Sequence, residues 1–388
     1  MGYSARLFWS SPNGVSSLFG GNVFISPGFM LVLLLHSIFS FPVVVRVMVG
    51  ELLGYKEIYE FAARTLGAQP ITAVRTITLP ILRPALVASF LLSFSRSLSE
   101  TGATVMVAGA FENGPVYINN VKTTLGPDRS LGPLVYTSSI LILTSVLIFF
   151  LIRILGPRLK FPIRKAWPEY ERKLSSPASI RMRNSVTLFF FLFFVMAPSL
   201  FVLLPLASAL FDGTLGSALT GSGPWGDFWS SMLVSYSVGF IATITNIIAG
   251  LPVAIAIARK KLAGATPMLE AVVNIPIVVP SIALGVSLSF FWKSLGSIPE
   301  FWVLIFAHTT ITYTYFVASM SAAIESIPIE MEEVASTLGA KPFRIFRKIT
   351  LPLTKYSVFS GAILVFTRSV SETGATVAVS ETLITAPV

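Results

Sequence analysis

The sequence predicts an all-α polytopic membrane protein built as a tandem parallel repeat. Three observations carry that expectation. Of 388 residues, 54% are hydrophobic and only 12% charged, about half the charge of an ordinary soluble domain. Mean hydropathy is +0.78, and the apolar residues fall into runs long enough to cross a bilayer. Finally, residues 60–107 overlie residues 332–379 without a gap, 272 positions apart, with 24 of 48 positions identical. The clearest shared words are TLGA (65–68 and 337–340), ITLP (77–80 and 349–352) and SETGATV (99–105 and 371–377).

Eight spans are expected, at roughly 29–50, 85–110, 135–156, 185–211, 231–258, 267–292, 301–323 and 356–379. Each is long enough to cross about 30 Å of hydrocarbon at 1.5 Å per residue. Helix is required because lipid offers no partner to an unpaired backbone group. The runs do not alternate as the strands of a membrane barrel would. The stretch 274–280 (NIPIVVP) should bend its span, and the phenylalanine run 189–194 reads as a lipid-facing surface. No cleavable signal is visible in residues 1–28.

The net charge of +10 is gathered in a few loops, which fits the positive-inside rule better than nucleic-acid binding. Segment 153–184 has nine Lys or Arg against two acids, and Arg259, Lys260 and Lys261 mark another inner loop. Loop 212–230 has Asp212 and Asp227 and no basic residue, so it is assigned outside, as are residues 1–28. The chain lacks cysteine and has two histidines, so disulfides and thiolate chemistry are excluded and no metal centre is expected.

Six of the expected spans separate the two repeated connectors, so both face the same side and the halves are parallel. The repeat is incomplete at both ends, and a full duplication would hold six plus six spans. The expected organisation is a first half over 1–156 (spans four to six, polar connector about 51–84), a basic cytoplasmic linker over 157–184, and a second half over 185–388 (spans one to five, connector about 324–355). His36 falls on His308 in the same register. For these two, a hydrogen bond across helices is the simpler reading than a proton relay.

Each connector reads as short helix, turn, short helix. Gly67 and Gly339 suit the turn, Pro70 and Pro342 start the next helix, and Pro80 and Pro352 are expected to end it. Between them, Ala63, Ala68, Ala335 and Ala340 permit close approach by another protein. This pattern resembles the cytoplasmic loop of importer-type ABC transporter permeases, which reads roughly Glu-Ala-Ala, three residues, Gly, then about nine residues to Ile-x-Leu-Pro. The matching residues are Glu333, Val334, Ala335, Gly339, Ile349, Leu351 and Pro352 in the second copy. In the first they are Phe61, Ala62, Ala63, Gly67, Ile77, Leu79 and Pro80. Phe61 replaces the family's Glu, with Glu60 one position early, and Val334 replaces its first Ala.

The resemblance implies an ABC importer permease fold in the inner (cytoplasmic) membrane, with the connectors as coupling loops. Glu60, Ala63, Gly67, Ala68 and Pro80, and Glu333, Ala335, Gly339, Ala340 and Pro352, would then meet two ABC ATPase subunits on the cytoplasmic side. A solute-binding protein would deliver the solute from outside. Membrane lipid is the remaining partner, and no nucleic acid is expected. No Gly-x-x-x-x-Gly-Lys-Ser/Thr sequence occurs, so the chain is not an enzyme on this reading. It carries no cofactor, and ATP is used by the partner subunit. The layout is similar to fused ferric iron and thiamine permeases, and residues 99–109 are similar to the fifth span of molybdate, tungstate and sulfate permeases. A small inorganic ion is the favoured solute. A carrier or channel without an ATPase, or a non-functional truncated permease, are the alternatives.

The fifth span of each half carries a charged pair at i, i+4, Arg96 with Glu100 and Arg368 with Glu372. A charge deep in the bilayer costs about 2.5–3.5 kcal/mol on insertion scales. These four residues are candidates for the pathway or its gate, or else structural ion pairs. Gly102, Ala103, Gly374 and Ala375 follow, and are expected to allow a tight helix crossing between the two halves.

Overall fold

The structure is a computed structural model that describes residues 2–20, 23–155, 158, 167–260 and 263–380. Among these, six helices are long and apolar enough to cross a membrane, and eight if each of two sharply bent helix pairs counts as one span. The six are Phe29–Gly54, Ser130–Leu155, Pro177–Phe211, Phe228–Ala258, Glu300–Glu325 and Pro342–Val370. The bent pairs are Pro70–Ile81 with Arg83–Ser99 (71°) and Thr266–Val278 with Ser281–Ser294 (109°). Counted that way, a candidate lies at each of the eight expected positions, although the helices of the spans expected at 85–110 and 356–379 stop at Ser99 and Val370. The 274–280 stretch bends as its prolines demand, since Pro276 and Pro280 donate no backbone bond. Lys261 and most of the linker 157–166 lie outside the described residues.

Chain contacts divide the protein into two compact units, Met1–Glu112 with Ser145–Phe211, and Asn113–Thr144 with Asp212–Val388. These units do not follow the linear halves. Residues 145–211 group with the first and 113–144 with the second.

In the first unit, Phe29–Gly54 packs along Arg83–Ser99, and a short helix, Gly102–Ala108, continues beyond a break. Gly2–Ser10 lies against that short helix and against Ala197–Leu200. Residues 2–10 are therefore a packed helix. The phenylalanine run is also divided in its role. Phe189 and Phe190 are exposed, but Phe193 and Phe194 pack on Trp9 at 5.5 Å each.

In the second unit, Phe228–Ala258, Glu300–Glu325 and Leu351–Val370 pack around Phe316, Val317, Met320 and Val365. Without a strong hydrophobic drive between helices in lipid, close approach of small residues has to supply the contact. Gly250 and Gly361 do so on either side of the Phe316 ring. Ser281–Ser294 packs along the short helix Gly374–Val379.

The two units use the same crossing at these short helices. A Cβ on Gly2 would stand 2.8 Å from the Ala103 Cα, and one on Gly285 would stand 2.8 Å from the Ala375 Cα. Residues 285–292 (GVSLSFFW) and 2–9 (GYSARLFW) share four positions. So Gly2–Ser10 holds the place in its unit that the outer part of the bent third span holds in the other. Of the small residues expected at a tight crossing, Ala103 and Ala375 thus serve one inside each unit.

Two further expectations change. The helix of the span expected at 135–156 starts earlier, because Gly114–Leu155 is one continuous helix of 42 residues. Pro352 does not end a helix. A π-helical turn at Phe346–Thr350 widens the ladder ahead of it, so the proline's missing N–H and its ring are accommodated.

The crossing at Gly285 meets backbone, which cannot rotate away. Gly285→Val should lower stability by about 1–3 kcal/mol, seen as a lower melting temperature of purified protein in detergent. Gly216→Val, at a position with open space around it, should leave that temperature close to wild type.

Candidate functional site

The two connectors build the same turn. Ile58–Thr65 and Ile329–Thr337 are followed by Gly67 at φ +90° and Gly339 at φ +84°, a left-handed conformation that favours glycine. In the first copy, Ala68 N donates to Ala63 O (3.1 Å) and Gly67 N to Arg64 O (3.1 Å). In the second, Ala340 N donates to Ala335 O (3.0 Å) and Gly339 N to Ser336 O (2.9 Å). This double closure satisfies the last helix carbonyls. Pro70 and Pro342 then open the next helices at their first position.

The expected coupling residues divide by role. Ala63, Ala68, Ala335 and Ala340 are half-buried turn residues, Glu333 is exposed, and Pro80 and Pro352 follow the π-helical turns at Val74–Thr78 and Phe346–Thr350. Glu60 turns inward and accepts from the Thr78 hydroxyl at 3.4 Å. Its repeat partner Glu332 accepts from Thr350 at 2.9 Å and pairs with Arg259 at 2.9 Å. These carboxylates fasten each connector to the foot of the following span. The outward surface is instead apolar. Leu66 is 90% exposed and Leu338 83%, with Phe61, Val334 and Phe343 also uncovered. The sequence signal for the two leucines was present in the TLGA word, an apolar residue repeated outside any span.

The first connector has an additional fastening. The helix Pro168–Leu174 lies on Pro70–Ala73. Its buried Glu171 accepts from the Thr72 hydroxyl and pairs with Arg75 Nε at 2.7 Å. Ser175 Oγ accepts from Ile71 N at 3.3 Å. The Thr72 hydrogen bond, with Arg75 beside it, holds the Glu171 carboxyl below the usual carboxylate range despite its burial. Glu171 has no repeat partner in the chain, so nothing in the sequence singled it out.

The second cluster lies where span five breaks. The first copy stops at Ser99 and resumes at Gly102, and the second stops at Val370 and resumes at Gly374. Arg96 Nη2 pairs with Glu100 Oε2 at 2.8 Å, and Arg368 Nη2 with Glu372 Oε2 at 2.5 Å. The other carboxylate oxygen accepts from the next short helix, from Ala103 N at 3.4 Å and from Ala375 N at 3.3 Å. Each glutamate therefore supplies a partner to a backbone donor that the break exposes. Ser281, at the bend of the third span, also hydrogen-bonds Glu372.

The histidines bridge the same breaks. His36 Nδ1 meets Ser97 Oγ at 2.7 Å and Nε2 meets Thr104 Oγ1 at 2.9 Å. His308 meets Ser369 and Thr376 at 2.9 Å each. Both threonine hydroxyls donate to the glutamate carbonyls, Thr104 to Glu100 O at 2.6 Å and Thr376 to Glu372 O at 2.5 Å. That leaves each threonine oxygen to accept, so Nε2 carries the imidazole proton and Nδ1 accepts from serine. The hydrogen bond across helices expected for these histidines is present in both copies. The sequence could have identified the serines and threonines, which recur 61 and 68 residues after each histidine.

At the far end of Gly374–Val379, Lys122 Nζ donates to the carbonyls of Val377, Ala378 (3.0 Å) and Ser380 (2.7 Å). Beside it is a cavity of about 410 Å3 lined by Lys122, Ser130, Val286, Ser289, Lys293 and Ala378.

Comparison with known proteins agrees with this architecture. The family described as binding-protein-dependent transport system inner membrane component matches residues 8–161 and 247–381, and the chain belongs to that family. It is a multi-pass inner-membrane protein. It is similar to the molybdenum transport system permease protein ModB of Mycobacterium tuberculosis, 28% identical over 173 residues, covering 39% of this chain and 65% of that protein. The Escherichia coli K12 ModB is 29% identical over 162 residues, 38% of this chain and 70% of that protein. The putative 2-aminoethylphosphonate transport system permease protein PhnV of Salmonella typhimurium is 28% identical over 207 residues, 52% of this chain and 78% of that protein.

Two outcomes follow. The Glu372 side chain is 2% exposed and that of Glu100 14%. Removing one partner of a buried pair costs about 3–5 kcal/mol. Arg368→Gln should therefore destabilise more than Arg96→Gln, and more than Arg368→Gln combined with Glu372→Gln, in thermal unfolding. For Glu171, a lowered carboxyl pKa means that its contribution is complete above the ordinary carboxylate range and disappears as pH falls through the lowered value. Hydrogen exchange over 168–175 should stay protected at neutral pH and rise in acid, and Glu171→Gln should remove that acid step.

Proposed function

We propose that this chain is the transmembrane permease subunit of an ATP-driven ABC importer. It forms the pathway for a small solute handed over by an extracytoplasmic solute-binding protein. Two separate ABC ATPase subunits dock at the connectors and supply the energy, so the chain itself needs no cofactor. The observation that carries this reading is the pair of bare leucines, Leu66 and Leu338, held outward by identical glycine turns. Burying a leucine is worth about 1.5–3 kcal/mol, and leaving two uncovered at matched positions makes sense when partners cover them. Ala63, Gly67, Ala68, Ala335, Gly339 and Ala340 shape the docking turns. Glu60 and Pro80 set the first turn on its span, Pro352 does so for the second, and Glu333 adds a charge to the second face where the first has Phe61.

The broken fifth spans are the proposed gate, with Arg96, Glu100, Arg368 and Glu372 holding the short helices in place. The relatives are named for molybdenum and for 2-aminoethylphosphonate. A small inorganic ion is the favoured cargo here, either an oxyanion of the molybdate or tungstate type or ferric iron.

Co-purification with an ABC ATPase subunit from the same genome tests the reading. Leu66→Arg and Leu338→Arg lie on exposed positions and should leave folding within about 0.5 kcal/mol of wild type. Each should weaken ATPase binding by about 2 kcal/mol, roughly 30-fold, and together they should abolish co-purification at unchanged membrane content. If the double variant keeps its ATPase, the docking assignment is wrong.

A further inference from the structure

We propose that the helix Pro168–Leu174 is a lipid-reading strap, fastened to the first connector and laid with an exposed aromatic stripe against anionic headgroups of the cytoplasmic leaflet. The fastening is made by Glu171 to Thr72 and Arg75, and by Ser175 to Ile71 N. Next to it on the helix, Trp167, Tyr170 and Leu174 follow helical spacing and are 71%, 68% and 55% exposed. The Trp167 and Tyr170 rings touch edge to face at 6.5 Å. Three apolar or aromatic side chains on one stripe, bare to solvent, need a covering surface.

The chain itself indicates which surface. The helix Pro177–Phe190 begins three residues after Leu174 and leads into the apolar run expected as a span from 185, so the strap is tethered within a short reach of the membrane surface. Tryptophan and tyrosine are the residues that settle there. The strap and the start of the span also carry exposed Arg172, Lys173, Arg181 and Arg183, within a segment of nine basic residues and two acids. One of those acids, Glu171, is already committed to Arg75. A short helix with an aromatic stripe and flanking basic residues matches an anionic membrane surface. The second connector is fastened differently, through Glu332 to Arg259 and Thr350. Anionic lipid should therefore steady the first connector and leave the second unaffected.

Because the chain has no cysteine, single labelling sites can be introduced freely. The test uses the full chain alone in phosphatidylcholine vesicles, with and without phosphatidylglycerol, so its outcome is independent of ATPase docking. A nitrobenzoxadiazole label on Leu174→Cys should be quenched by headgroup nitroxide lipid, and more strongly when phosphatidylglycerol is present. Arg172→Gln with Lys173→Gln should weaken that anionic-lipid response roughly ten-fold or more. A spin label on Gln69→Cys should lose mobility with phosphatidylglycerol, while one at the matching Lys341→Cys should not. Glu171→Gln should abolish the response at 69 and keep the quenching at 174. A label at 174 that stays in water in both vesicles overturns the proposal and leaves the stripe to a protein partner. An equal response at 69 and 341 also overturns it.

Discussion

The fifth span of each repeat is broken within a membrane bundle, and the rest of the structure is arranged around that break. A broken helix leaves backbone donors and acceptors without partners, and hydrocarbon supplies none. Here the missing partners come from side chains a few residues away. Glu100 and Glu372 accept from the helix that follows, while Thr104 and Thr376 donate to the glutamates' own carbonyls. A carboxylate at that depth needs a counter-charge, and Arg96 or Arg368 lies one turn away to provide it. His36 and His308 then tie the two pieces together from a neighbouring helix. The far ends of the short helices are satisfied as well, by Gly28 N on Val107 O at 3.0 Å in one unit and by Lys122 in the other. The Ser-Glu-Thr-Gly-Ala-Thr-Val word is thus a compact set of instructions for a paired break.

That break is mechanically joined to the connector. In the second copy one helical path runs from Pro342 to Val370, from just past the glycine turn to the residue before the break. Leu338 and the Arg368–Glu372 pair lie at opposite ends of this rod. In the proposed importer, displacement of the docking face would reach the break through a single rigid element, with the π-helical turn at Phe346–Thr350 as its one irregularity. The first copy has the same turn at Val74–Thr78 but bends by 71° just after it. The two copies therefore share the geometry of the glycine turn and differ in the link behind it.

Much of this was legible in the sequence because hydropathy and repetition each carry physical meaning. Long apolar runs located the spans, since a bilayer accepts little else. Gly67 and Gly339 located the turns, because only glycine adopts that backbone freely. The common register of His36 and His308 located a bridge. The break itself was hidden, because hydropathy continues through Val105 and Val377 and a helix was assumed to continue with it. The helix Gly2–Ser10 was hidden for another reason. Its match to 285–292 is offset by 283 residues and not by 272, so a gapless comparison passes over it. Glu171 was invisible because its importance comes from contacts with Thr72 and Arg75, about a hundred residues away.

The division into units explains why the repeat boundaries do not mark the mechanical ones. Residues 113–144 belong by contact with the second unit, although they continue the first half of the sequence, and 177–211 belong with the first. Lys122 illustrates the consequence, since a residue of the first half satisfies the end of a short helix in the second. Phe193 and Phe194 do the converse by covering Trp9. Each unit is therefore completed by side chains from the other half of the sequence. A chain cut in the linker would give two pieces, each lacking a helix that its own unit requires. The duplication seen in the sequence is real, but the compact units defined by contact exchange helices between its copies.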